Sequence, residues 1–186
     1  MIVEVSSTDI KFSDDAMALA KKIIARYPEG RQKSALLPLL HLAQVEFNGW
    51  LDVPVMDYVA SLLNIKPIEV YEVATFYSMF NTEPVGTCLL EVCRTGPCML
   101  RGADDLVEYL EKKLNIKAGE TTADGLFTLK TVECLGACGS APMLQCGADF
   151  FENMTFERTD ALLEQLRNAN RRSAYTRSNN LTLKKA

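Results

Sequence analysis

The sequence predicts an α+β fold, with a small N-terminal helical bundle over residues 1–83 followed by an α/β layer over 84–170 in which a sheet packs on helices. Three observations carry this. Up to about residue 82, apolar residues recur at helical spacing between breaks at Pro28-Glu29-Gly30, Asn48-Gly49 and Lys66-Pro67. After Asn81-Thr82-Glu83-Pro84-Val85-Gly86 the pattern switches to alternation, with Cys88, Leu90 and Val92 on one face. Two strand-like runs then each lead into a pair of cysteines.

Taken in order, Ser13 followed by Asp14 and Asp15 is a sound helix start, because the Ser oxygen caps free amides and the acids suit the positive helix end. That helix should run to about Tyr27. A second begins near Ser34, with Leu36, Leu39 or Leu40, Ala43 and Phe47 in register, and a third covers roughly Val55 to Leu63. The fourth opens at Pro67, whose missing N–H costs nothing in a first turn, and carries Val70, Val73, Phe76 and Tyr77 on one side. Four short helices on short loops make a small bundle. Val73 to Phe80 holds more apolar and aromatic surface than such a bundle needs, so core packing is the first reading and a partner surface the second.

Thr87 to Val92 reads as a strand, Ala103 to Leu114 as a helix, Ala118 to Gly125 as a polar loop and Phe127 to Glu133 as a second strand. Met143 to Cys146 and Phe150 to Glu152 flank Gly147-Ala148-Asp149 as a hairpin, and a last helix spans about Glu157 to Ala169. The order β-α-β-β-β-α is that of a small sheet layered on helices. From Arg171 to residue 186 the chain is basic, rich in Ser and Asn and without apolar periodicity, which reads as a disordered tail.

Hydrophobic content of 48% and charged content of 24% are ordinary for a globular protein. A net charge of −4 argues against nucleic-acid binding, and no apolar run approaches a membrane span. The N-terminus lacks a basic, apolar signal pattern, so a cytoplasmic location is expected. In that reducing setting paired cysteines more often bind metal or do redox chemistry than form structural disulfides.

Cys93 and Cys98 are separated by four residues, Cys134 and Cys138 by three. Thiolates repel one another unless a cation compensates them, so four of them at adjacent strand ends call for a metal. Cys98 precedes a helix start, and Gly96, Gly136 and Gly139 would let backbone amides approach sulfur. Structural zinc favours closer spacing within pairs, and plant-type ferredoxin spacing does not match, so another iron–sulfur class is favoured while zinc and thiol redox chemistry stay open. No Cys-x-x-Cys is present to support a thiol enzyme. Cys88 and Cys146 read as buried small hydrophobes, and His41 as packing or surface rather than a ligand.

The segment Glu91-Val92-Cys93-Arg94-Thr95-Gly96-Pro97-Cys98-Met99-Leu100-Arg101-Gly102 resembles the thioredoxin-like [2Fe–2S] ferredoxin family. So does Val132-Glu133-Cys134-Leu135-Gly136-Ala137-Cys138 with Ala141-Pro142-Met143. The likeness covers about residues 15–168 and includes Gly119 to Thr122, Leu126 to Leu129 and Glu69 to Phe80. It implies a thioredoxin-like C-terminal domain and a [2Fe–2S] cluster held by Cys93, Cys98, Cys134 and Cys138. The branch it is most similar to, the small 24 kDa-type subunit of respiratory complex I, NADH:quinone oxidoreductase, implies single-electron transfer within the NADH dehydrogenase module. NADH and FMN would then sit on a partner flavoprotein subunit, and this chain has neither a Gly-x-Gly-x-x-Gly fingerprint nor a phosphate loop. Other peripheral-arm subunits would be neighbours, with the chain peripheral to the inner membrane through the complex. Equivalent subunits of NAD-linked hydrogenases or formate dehydrogenases share the ligand motif. A free-standing ferredoxin or a zinc-stapled interaction module are the remaining readings.

Overall fold

The computed structural model describes residues 10–168, so the basic tail from Arg171 lies outside the described residues. The chain divides into two compact units, Met1–Pro84 and Val85–Ala186.

In the first unit the helices are α1 (Asp14–Ile24), α2 (Leu36–Glu46), α3 (Val53–Leu63) and α4 (Pro67–Phe76), with a 3-10 turn at Gln32–Ala35 leading into α2. Local chemistry sets most of these ends. Ser13 Oγ accepts the Ala16 N–H at 3.3 Å, as its capping position requires. α3 starts two residues before the expected Val55, because Asp52 caps it by accepting the Val55 N–H at 2.9 Å. The core gathers Ala16, Ala20 and Ile23 of α1, Leu36, Leu39, Leu40 and Ala43 of α2, Val55, Met56, Val59, Ala60 and Leu63 of α3, and Val70 and Ala74 of α4.

Helix does not continue to residue 82. α4 ends at Phe76, and the next residues feed a buried polar clasp. Gln44, buried on α2, accepts the Asn81 N–H at 2.7 Å and donates to the Met79 carbonyl at 3.0 Å. Asn81 in turn donates to the Gly49 carbonyl at 3.0 Å and accepts the Leu51 N–H at 2.8 Å. Backbone groups committed to Gln44 cannot also make helical bonds. The clasp turns Ala74 and Phe80 into the core but leaves Phe76 79% exposed, with Tyr77 and Met79 also exposed. The core-packing reading of that stretch thus holds for Ala74 and Phe80 and not for Phe76, Tyr77 and Met79. His41 is exposed, its ring 4.9 Å from that of Phe80.

The second unit holds β1 (Cys88–Cys93), α5 (Gly96–Leu100), α6 (Ala103–Leu114), β2 (Phe127–Val132), β3 (Leu144–Cys146), β4 (Asp149–Phe151) and α7 (Phe156–Asn168). The sheet order is β2-β1-β3-β4. β1 and β2 are parallel, joined by a crossover that contains α6, whereas β1–β3 and β3–β4 are antiparallel. Gly147 at φ 64° turns the hairpin between Cys146 and Asp149. Cys88, Leu90 and Val92 point to the core formed with Leu106, Val107, Leu110 and Leu114 of α6 and Leu162, Leu163 and Leu166 of α7. The other face of this strand is buried too: all six β1 residues are buried.

Candidate metal centre

Parallel pairing of β1 with β2 decides where the cysteines go. Cys93 and Val132 are register partners at the last positions of the two strands, so both following loops leave the sheet at the same edge. Cys93 closes β1, and Cys134 lies two residues beyond β2. Cys98 falls inside the short α5, which was not expected, and its N–H is bonded to the Thr95 carbonyl at 2.8 Å. The helix expected after Cys98 is α6, which starts at Ala103. Cys138 opens a 3-10 turn, Cys138–Ser140.

Cys93 and Cys98 are buried, on a bed of Ala103, Ala141 and Met143 with Leu135 and Ala137 alongside, while Cys134 and Cys138 are exposed. The Cys134 and Cys138 sulfurs lie 3.5 Å apart. Two thiolates sharing one tetrahedral ion, with metal–sulfur bonds of about 2.3 Å, must sit about 3.8 Å apart, so this pair is spaced as ligands of one metal. Among the described residues, no three His, Cys, Asp or Glu side chains gather closely enough to hold one metal ion. Four thiols in two pairs at one end of the sheet are a donor set that zinc and iron–sulfur centres both use.

Hydrogen bonds to sulfur are the second feature of the site. Gly136, at φ 81°, turns its N–H onto Cys134 Sγ at 3.4 Å. Gly96 and Gly139, by contrast, have no positive φ. Burial pushes the Cys93 thiol up, but the Thr95 hydroxyl, the Thr95 and Leu135 amides and the Cys98 thiol together hold it below its usual range. Cys98 is pushed up to about 11, by burial first and then by the Cys93 thiol and thiolate. Gly136 N–H, the Cys138 thiol and the Thr95 hydroxyl hold Cys134 low, and its thiolate holds Cys138 high. Each pair thus has one thiol whose ionisation its surroundings favour and one whose ionisation they oppose.

Sequence reasoning missed Thr95 as a sulfur partner, although a hydroxyl between two ligand candidates was a visible signal. It also missed the buried Glu91, which β1 alternation puts on the Cys93 side of the strand; burial raises its carboxyl pKa, opposed by its register partner Lys130. Cys88 and Cys146 are buried among apolar residues of the α6–α7 core, where they were expected.

The model of thioredoxin-like [2Fe–2S] ferredoxins matches residues 20–167. This chain belongs to the thioredoxin-like [2Fe–2S] ferredoxin family. Its relatives in that family include proteins named as the E-type subunit of NADH-quinone oxidoreductase. That of Rickettsia bellii is 47% identical over 161 residues, covering 87% of this chain and 96% of the relative. That of Rickettsia felis is 48% identical over 162 residues, covering 87% and 97%. A Dictyostelium discoideum protein named mitochondrial NADH dehydrogenase [ubiquinone] flavoprotein 2 is 45% identical over 161 residues, covering 87% of this chain and 65% of that one. Among solved structures, an NAD+-reducing [NiFe]-hydrogenase in the air-oxidised state superposes with a TM-score of 0.62 at 22% identity. Its H2-reduced form gives 0.63 at 24%. Each match covers 72% of this chain but only 23% and 22% of the hydrogenase chain, and shows a shared fold. A family member carries a [2Fe–2S] cluster as its cofactor.

Proposed function

We propose that this chain is the [2Fe–2S] electron-transfer subunit of the NADH dehydrogenase module of complex I, with Cys93, Cys98, Cys134 and Cys138 as the cluster ligands. The observation that carries the reading is the 47–48% identity, across nearly the whole of each relative, to proteins named as the E-type subunit of NADH-quinone oxidoreductase. The hydrogenase likeness, at 22–24% identity, supports the fold and does not compete at that level.

Bound at this site, a [2Fe–2S] cluster supplies acceptance and release of one electron. The chain's own residues do the rest. Cys93 and Cys98 anchor the buried side against Ala103, Ala141 and Met143, which exclude water. Amides of Thr95, Leu135 and Gly136 point at sulfur and favour negative charge there. Cys134 and Cys138 form the open side, where a partner approaches. The partner in this reading is the flavoprotein subunit that holds NADH and FMN, with other peripheral-arm subunits beside it. Attachment to the membrane is then indirect, and among the described residues no helix is long and apolar enough to cross one.

The test is iron, acid-labile sulfide and zinc content of anaerobically purified protein, with a visible spectrum and a Cys93→Ala variant. Iron and sulfide in equal amounts, lost or spectrally changed in the variant, are expected. Zinc alone without colour would leave a structural module, and an unchanged variant spectrum would refute the ligand set.

A further inference from the structure

Thr95 occupies the N-cap position of α5, where a threonine hydroxyl ordinarily accepts a bond from an amide of the first turn. Here it makes no capping bond. Its Oγ1 lies 3.5 Å from Cys93 Sγ instead. The side chain thus reaches the sulfur that closes β1. A thiolate bound to metal has no proton, so the hydroxyl must be the donor in this contact.

We propose that Thr95 is a positioning residue whose hydroxyl raises the reduction potential of the cluster by donating to the Cys93 sulfur. The proposal rests on the cluster assignment above and deepens it. Reduction adds a negative charge that the sulfurs partly carry, so a donor aimed at them stabilises the reduced form more than the oxidised one. Hydrogen bonds to ionised acceptors are the stronger kind, which makes the difference between the two redox forms measurable. The capping bond that α5 forgoes is the local cost of this arrangement.

The experiment is a redox titration, followed by EPR, of the purified full chain carrying its cluster, for wild type, Thr95→Val and Thr95→Ser. Valine keeps the branched shape and removes the proton; serine keeps the donor and drops the methyl. The expected result is a roughly tenfold smaller reduction equilibrium constant for Thr95→Val, a midpoint about 59 mV lower for this one-electron couple. Thr95→Ser should stay at the wild-type midpoint. Clusters that load in all three proteins with a single shared midpoint would overturn the role of Thr95 and leave the cluster assignment standing. A wild type with no iron or sulfide would instead sink the assignment, and this inference with it. If Thr95→Val loses the cluster while Thr95→Ser keeps it, the hydroxyl is needed for assembly, and the potential-setting role is overturned.

Discussion

Met143 and Leu129 are both fully buried, but in different places: Met143 lies under the Cys93–Cys98 pair, and Leu129 in the α6–α7 core on β2. Truncating either to alanine removes the same number of side-chain heavy atoms. Each should cost about 2–5 kcal/mol, transfer and cavity terms together, against a typical domain stability of about 5–15 kcal/mol. Both variants should therefore fold, with Tm and denaturant midpoint lowered comparably. The backbone of Met143 keeps its two jobs in the variant, accepting the Cys93 N–H at 3.2 Å and donating to Cys98. Only the apolar bed changes. A loss of about 3 kcal/mol concentrated in local opening at the cysteine end raises the open population roughly a hundredfold. Bleaching of the visible absorbance by a chelator, well below the unfolding transition, should then be far faster in Met143→Ala than in Leu129→Ala at matched stability. Equal bleaching rates would refute the argument that this bed protects the buried ligand pair.

Two further tests probe the second unit. Asp160 on α7 is held below the usual carboxylate range, first by the Lys113 ammonium and then by the Tyr109 hydroxyl of α6. A depressed acid stabilises the fold above its ordinary value of 3.8 and loses that contribution as pH falls through its folded value. Asp160→Asn should therefore lower Tm at neutral pH, with the gap to wild type closing only in the acid range; a gap that persists there would exclude the ionic origin. Gly86 precedes β1, and a Cβ there would lie 2.9 Å from the Leu126 carbonyl oxygen and 3.0 Å from that of Gly125, both backbone atoms. Gly86→Ala should cost about 1–3 kcal/mol by urea denaturation, and no loss would mean that the 125–126 turn yields freely.

What was legible in the sequence was what local chemistry decides. Ser13 and Pro67 marked helix starts because caps and first-turn prolines act within a few residues. The end of α4 was not legible, because it depends on Gln44 binding the backbone of Asn81 across 37 positions. Nor was α5, a five-residue helix too short for periodicity to reveal. Pro97, early in that helix, was the one local signal for it. β1 was legible as a strand but not as a central one, since its pairing with β2 on one side and β3 on the other joins segments far apart in the chain.

For the cysteines, the limit of the sequence has a definite physical origin. Spacing of four and three residues sets how far apart two sulfurs can lie within a loop, but not how the loops meet. That second relation is set by β1–β2 register, a parallel pairing that no local pattern specifies. Once it is known, zinc and iron–sulfur make different demands on the same four thiols. Zinc needs all of them around one point; a binuclear centre needs two chelating pairs, each able to release its second proton when metal binds. The 3.5 Å separation within the Cys134–Cys138 pair, and the split into one low and one high thiol in each pair, suit two ligands of one metal under either demand, so it is the family match over residues 20–167 that selects iron–sulfur. Burial then distinguishes the pairs: Cys93 and Cys98 are buried against Ala103, Ala141 and Met143, whereas Cys134 and Cys138 are exposed, so in the proposed assignment a partner would meet the Cys134–Cys138 side.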